Sequence, residues 1–399
     1  MISTHSVQSP VSTEVEPIYL ETPIRLLDYM RDADKGSLIN LAAAVPSNDT
    51  LPLESLELAA RDAFEKSGRR MLSYQTPEGD PELRHLLAER MKSKGCKVNH
   101  EHMIVTTGCT QALYLMVSLL AKPGDVIACV APNYYALMEL LGEAGAKILQ
   151  LPSDPRTGIL LDQAEKWIKR WRPKALFLCS TLSNPDGSTM PLENRKELLE
   201  ICKLQNVRIV EDDIYAELAE AGAPPPIASL DDGSTVSYAT SFSKSVAPGL
   251  RLGFLMPGDL FEAAASLKCQ QDIHSSAVSQ AMLRHFMSRG LLDQHLERLR
   301  GIYTGRRRIA MRAIAEAFPK GTEVVEPRGG YILWLKLPRR IVLKEAQKRA
   351  LEKKIIFCPG DIFFAREPQE SYMRVNCARA SEEDLESSLH TLGGIVSSL

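Results

Sequence analysis

The chain has 399 residues, of which 44% are hydrophobic and 25% charged, the ordinary balance of a soluble globular protein with more than one core. A formal net charge of −2 at pH 7 gives no electrostatic reason to expect nucleic acid or an anionic membrane as a partner. The eight cysteines are scattered, with no CxxC pair and no Cys/His cluster at metal-ligand spacing; this points to reduced core thiols, a cytoplasmic protein and no metal.

Residues 1 to about 20 are polar and contain Pro10 and Pro17, which predicts a loose arm without the regions of a signal peptide. The longest apolar stretch, residues 112–121, is too short to span a bilayer. From about 50 to 290, helical and strand patterns alternate. Residues 81–94 carry Leu83, Leu86, Leu87 and Met91 at helical spacing, with a proline at the start and Gly95 as a stop. A strand over 103–106, a helix over 111–121 and a strand over 125–130 follow. Residues 175–179 and 207–210 read as buried strands, with a helix around 192–204 between them. This alternation implies an α/β fold with a mainly parallel sheet flanked by helices. Past a helical stretch around 291–318 come a strand over 329–337, a helix over 342–353 and strands over 354–358 and 372–376, which read as a smaller α+β domain. The expected organisation is an arm and part of the small domain in 1–49, a large ligand-binding domain in 50–290 and a small domain in 291–399.

The polar signals fall just after strands, where open α/β sheets bind their ligands. Thr107-Gly108-Cys109-Thr110 opens a helix, so its backbone N–H groups and the Thr110 hydroxyl suit a phosphate; a plain turn and cap would look the same. Ser183-Asn184-Pro185-Asp186-Gly187 is a turn in which the Asn184 amide could donate to a ligand oxygen. Glu211-Asp212-Asp213-Ile214-Tyr215 ends another strand in carboxylates and a tyrosine. Ser241-Phe242-Ser243-Lys244, with Arg251 seven residues on, sets an amine that can condense with an aldehyde beside groups that suit a phosphate dianion. One cofactor is both aldehyde and phosphate ester, pyridoxal 5'-phosphate. A carboxylate against its ring nitrogen would keep that nitrogen protonated and the ring an electron sink.

Taken in this order, the motifs from about residue 39 to 380 resemble those of the class I/II aminotransferases, fold-type I pyridoxal-phosphate enzymes. The resemblance implies that Lys244 forms the Schiff base and that Asp212 partners the ring nitrogen, with Asn184 and Tyr215 on the ring's O3'. It implies phosphate contacts from Gly108, Cys109, Thr110, Ser241 and Arg251, and a ring stacked on Tyr134. Tyr74, in Tyr74-Gln75-Thr76-Pro77-Glu78-Gly79, resembles a tyrosine that reaches the neighbouring subunit's phosphate, which implies a homodimer with shared active sites. Arg374, in Tyr372-Met373-Arg374-Val375-Asn376, resembles the arginine that pairs with the substrate's α-carboxylate, with Asn184 and Ala43 beside it.

Two departures stand out. Leu41-Ala42-Ala43-Ala44-Val45-Pro46 replaces a segment in which the family commonly has glycines, and Asn184-Pro185-Asp186-Gly187 replaces Asn-Pro-Thr-Gly. The implied activity is amino transfer between an L-amino acid and a 2-oxo acid. The extra methyls beside the substrate keep a second outcome open on the same cofactor: β/γ-elimination or replacement, cyclisation, or oxidation. A third reading, the cofactor-sensing half of a transcription regulator, would need a basic helix-turn-helix, for which residues 1–38 are too short. No motif encodes side-chain specificity; Arg69, Arg70 and Arg328 are the candidates for a second substrate carboxylate.

Overall fold

The computed structural model describes residues 15–20 and 38–399. Its first strand, β1 (Ile39–Asn40), pairs with a partner far along the chain. The next eight are β2 (Ile104–Thr106), β3 (Val126–Ala131), β4 (Lys147–Asp154), β5 (Gly158–Ile159), β6 (Ala175–Leu178), β7 (Arg208–Asp212), β8 (Val236–Ser241) and β9 (Gly253–Met256). They form one sheet in the order β2-β9-β8-β7-β6-β3-β4-β5. Its centre is parallel; only β9, which runs against β2 and β8, and the edge hairpin β4–β5 are antiparallel.

Central strands buried on both faces read as unbroken apolar runs, and here the two faces separate by the period of two. Ala128, Val130, Leu176, Leu178 and Ile209 enter one buried cluster. Ile127, Cys129, Ala175, Phe177 and Val210 enter the other. Helices cover both. The helix Pro81–Ser93 starts on Asp80, whose side chain accepts from the N–H groups of Glu82 and Leu83, and buries Leu83, Leu87, Ala88 and Met91. Cys109–Leu120 begins two residues ahead of the predicted helix, directly at the end of the Gly108 turn.

The long helix Leu291–Ala317 serves two cores. Its Leu292, Leu296, Leu299 and Tyr303 pack into the large cluster, while Ala310, Ala313 and Ile314 pack into a separate one. That second core lies under a four-stranded antiparallel sheet of β10 (Glu323–Val324), β11 (Ile332–Lys336), β13 (Cys358–Pro359) and β14 (Tyr372–Asn376), ordered β10-β11-β14-β13. The expected strand over 354–358 is two strands. β12 (Ile355–Ile356) pairs with β1, and after Phe357 the chain crosses over to pair β13 with β14.

One expectation needs correcting. Residues 15–20, predicted as part of a loose arm, lie along the large sheet: Ile18 bridges Ile148 of β4, and Trp171 Nε1 donates to the Val15 carbonyl at 3.0 Å. Glu16 and Pro17 make this stretch read as a loop, yet Val15 is buried. The rest of the expected arm, residues 1–14 and 21–37, lies outside the described residues. All eight cysteines are free thiols, and Cys269 is the exposed one. Among the described residues no helix is long and apolar enough to cross a membrane.

Candidate active site

The carboxylates at the end of β7 are sorted by the strand's alternation. Glu211 and Asp213 turn to one face. Glu211 accepts from Ser180 Oγ and from the backbone N–H groups of Ile227 and Ala228, both at 2.9 Å. Asp213 accepts from the Tyr238 hydroxyl at 3.1 Å. Asp212 turns the other way, toward the Gly108 turn, where its Oδ1 accepts from Cys109 Sγ at 3.2 Å and from the Ile214 N–H at 3.3 Å. Burial pushes its pKa up to about 6, against the pull of those two donors and of the Lys244 charge.

Lys244 follows β8, and its Nζ donates to the Ala44 carbonyl at 2.5 Å. Burial, then the charges of Arg374 and Arg251, bring its pKa down to about 8, with Asp212 opposing. Arg374 on β14 is 1% exposed. Its Nη1 donates to Asn184 Oδ1 at 2.8 Å, its Nη2 to the Ala42 carbonyl at 2.5 Å, and its guanidinium lies 4.8 Å from the Phe363 ring centroid. Among the described residues no carboxylate pairs with Arg374, whose charge faces Cys358 and three tyrosines, and its Nε is buried without a partner. A guanidinium held in the interior without a counter-anion is costly, so an incoming anion would be stabilised here. Because Asn184 Oδ1 is taken by Arg374, the amide keeps its NH2 for another acceptor.

Tyr215 is buried with its ring edge-on to Tyr331 at 5.9 Å, and Tyr134 lies 5.0 Å from Tyr135 at the start of the helix Tyr135–Glu143. Burial raises both hydroxyls, and each ring feels the charges of Arg374 and Asp212. Asp212, Lys244, Arg374, Asn184, Tyr134 and Tyr215 thus lie in one cluster.

The phosphate-like cradle is cleared by glycine. Gly108 has φ +83°, and a Cβ there would lie 2.8 Å from Arg251 Nη2. Arg251 itself takes φ +50°, with Nη2 donating to the Thr107 carbonyl at 3.3 Å and Nη1 to Ser243 Oγ at 3.1 Å. Gly253 on β9 lets the turn in: a Cβ there would meet Gly108 C at 3.0 Å and the Thr240 carbonyl oxygen at 2.3 Å. Gly108→Ala is therefore expected to destabilise the fold by about 1–3 kcal/mol, because a Cβ at this backbone conformation strains the turn with or without a ligand; melting curves of the apoprotein check it.

Some placements differ from the sequence reading. Ser241 Oγ is engaged inside its own turn, 2.9 Å from both Ser243 Oγ and the Leu252 carbonyl, so the hydroxyl that Arg251 touches is that of Ser243. Thr110 is exposed at the start of its helix. Tyr74 is not drawn into this cluster; it stands 82% exposed with its ring 5.8 Å from His274. Arg69, Arg70 and Arg328 are exposed, and Arg70 faces Glu82 at 3.5 Å, so none of them reaches this chain's site. Asn376 was missed. It shares the face of Arg374 two residues on, and its Nδ2 donates to the carbonyls of Ala43 and Val45. Three successive carbonyls, of Ala42, Ala43 and Ala44, thus hold Arg374, Asn376 and Lys244.

An amine of lowered pKa, a buried carboxylate and a glycine-cleared arginine cradle fit pyridoxal 5'-phosphate, and they define a pyridoxal-phosphate enzyme. The chain belongs to the aminotransferase class I and II family, whose model matches residues 37–392. An aromatic-amino-acid aminotransferase of Thermococcus litoralis is 30% identical over 92% of this chain and 89% of its own. An HTH-type transcriptional regulator of Escherichia coli, YjiR, is 29% identical over 99% of this chain and 85% of that protein. The solved kynurenine aminotransferase of Pyrococcus horikoshii, in complex with PMP, superposes with a TM-score of 0.88 at 27% identity, covering 93% of this chain and 94% of that one.

Proposed function

We propose that this chain transfers an amino group between an L-amino acid and a 2-oxo acid, with Lys244 as anchor and proton carrier and Arg374 as the α-carboxylate site. The observation that carries the reading is a buried arginine without a counter-anion sharing one cluster with a buried lysine of lowered pKa. When bound, pyridoxal 5'-phosphate supplies an aldehyde for an amine and a ring that stabilises negative charge at the substrate Cα.

The residues do the rest. With its pKa brought down to about 8, Lys244 has a far larger neutral share near neutral pH than an ordinary lysine. Arg374, its plane fixed by Asn184 Oδ1 and the Ala42 carbonyl, takes the α-carboxylate and turns the Cα–H toward Lys244 Nζ. Nζ accepts that proton and gives it back as the general acid. Asp212, ionised above about pH 6, would keep a proton on the ring nitrogen. The Asn184 NH2 and the Tyr215 hydroxyl are the donors that would hold the ring's phenolate oxygen, and Tyr134 is the aromatic that would lie against the ring. The N–H groups of Gly108, Cys109 and Thr110, the Ser243 hydroxyl and Arg251 would hold the phosphate, with Ser241 bracing Ser243 from inside the turn.

The active sites are shared in a homodimer, with Tyr74 serving the neighbouring subunit. Its exposure supports this, as does that of Leu72 (67%), Phe64 (57%) and Ile273 (46%), apolar groups on the same stretch or on the loop that carries His274. Mixing Tyr74→Ala chains with Lys244→Ala chains is expected to restore activity lost in each alone, because one site of the mixed dimer regains both residues; no restoration would contradict sharing. Eight free thiols support a reducing, cytoplasmic location. The test of the reaction is a panel of L-amino acids offered to the loaded protein. Release of a 2-oxo acid without ammonia supports transfer, whereas release of ammonia or a cyclised product favours the alternative chemistry.

A further inference from the structure

We propose that Cys109 is the positioning residue of Asp212: its thiol holds the carboxylate by Oδ1 and leaves Oδ2 to meet the ring nitrogen. This rests on the reading of Asp212 as the ring-nitrogen partner. The contact is Cys109 Sγ to Asp212 Oδ1 at 3.2 Å, and the Ile214 N–H joins the same oxygen at 3.3 Å. Two donors on one oxygen fix the carboxylate's rotation, which a strand-end aspartate would otherwise share among rotamers. Cys109 is also the first residue of the helix that follows Gly108, so its own backbone N–H belongs to the phosphate turn. One residue therefore ties the phosphate end of the site to the ring-nitrogen end.

A thiol suits this task for two reasons. Burial, together with the neighbouring charges of Asp212 and Asp213, pushes the Cys109 pKa well up, so the group stays S–H and donates. It is also a weak donor, so it orients Asp212 without drawing off the basicity that keeps the ring nitrogen protonated. Besides Cys109, the groups that act on the Asp212 charge are the Ile214 N–H, Asp213 and Lys244. Cys179, Tyr134 and Tyr215 lie near enough to feel it.

The holoenzyme variants Cys109→Ala and Cys109→Ser, with Asp212→Asn as reference, test this. Removing the donor is expected to lower kcat about tenfold with KM within about twofold. It should also move the acid limb of the pH profile upward, since a lost donor raises the Asp212 pKa. Serine, a stronger donor, should restore kcat and bring the acid limb back to or below its original position. A second readout needs no turnover: the infrared S–H band of apoprotein Cys109, identified by its loss in Cys109→Ser, should shift when Asp212 becomes asparagine. Unchanged kcat and pH profile in Cys109→Ala, or an S–H band indifferent to Asp212→Asn, would overturn the proposal. An Asp212→Asn enzyme with full activity would overturn the underlying reading as well.

Discussion

Lys244→Ala is expected to abolish turnover, by about 10⁴-fold or more, and to remove the visible band of the lysine–cofactor Schiff base. A general base alone contributes 10²–10⁴-fold, and the same amine is also the anchor. The variant should nevertheless be more stable than the native apoprotein near neutral pH. The folded pKa of Lys244, about 8, is below its unfolded value, so its contribution to stability is full above the unfolded pKa and is lost as pH falls through about 8. Removing the amine relieves up to about 3 kcal/mol of that penalty at pH 7. Apoprotein melting curves at pH 7 and at pH 9.5 check the sign: the gain in Tm should be present at the lower pH and shrink at the higher. A variant that is inactive and also destabilised at pH 7 would mean that the lysine supports the fold.

Arg374→Leu should be the second-largest loss. The guanidinium sits at 1% exposure without a carboxylate partner, so truncating it removes the receiver of the substrate's anion. Removing one partner of a buried charge pair costs about 2–5 kcal/mol, which corresponds to roughly 30- to several-thousand-fold in kcat/KM. The loss should be specific. An amine lacking the α-carboxylate, poor for the native enzyme, should lose little further, so the preference for amino acid over amine should collapse. The same change removes the charge that, after burial, most depresses the Lys244 pKa, so the lysine's titration should move toward higher pH. An unaltered preference between amino acid and amine would reject Arg374 as the carboxylate site.

Much of the fold could be read before the structure, and the reasons are local. β6 is Ala-Leu-Phe-Leu and β3 is Val-Ile-Ala-Cys-Val-Ala, runs that only a doubly buried strand requires. β8, with Val-Ser-Tyr-Ala-Thr-Ser, carries hydroxyls that the sheet satisfies across strands, as when Thr240 Oγ1 donates to the Asp213 carbonyl, and no local pattern announces that. The short β9 opens on Gly253, present for its closeness to Gly108 rather than for strand propensity. In the site, Lys244, Asp212 and Arg374 were legible because each sits in a motif of distinctive chemistry at a strand end or on a strand. What joins them was not. Arg374 meets Asn184 across 190 residues of sequence and the Ala42 carbonyl across 332. The carbonyls of Ala42–Ala44 act through backbone atoms that residue identity does not mark. The Cys109–Asp212 bond likewise follows from the turn at Gly108 and the alternation of β7, neither of which assigns a partner by itself.

The central claim is that Lys244, Arg374 and Asp212 together move an amino group. Its most direct test is the half-reaction. The cofactor-loaded protein is mixed with excess L-amino acids and no acceptor, and products are counted per subunit. The account predicts one equivalent of 2-oxo acid, with the cofactor converted to its amino form and no further turnover until a 2-oxo acid is added. Continuous release of ammonia without an acceptor, or no product from any amino acid, would contradict it.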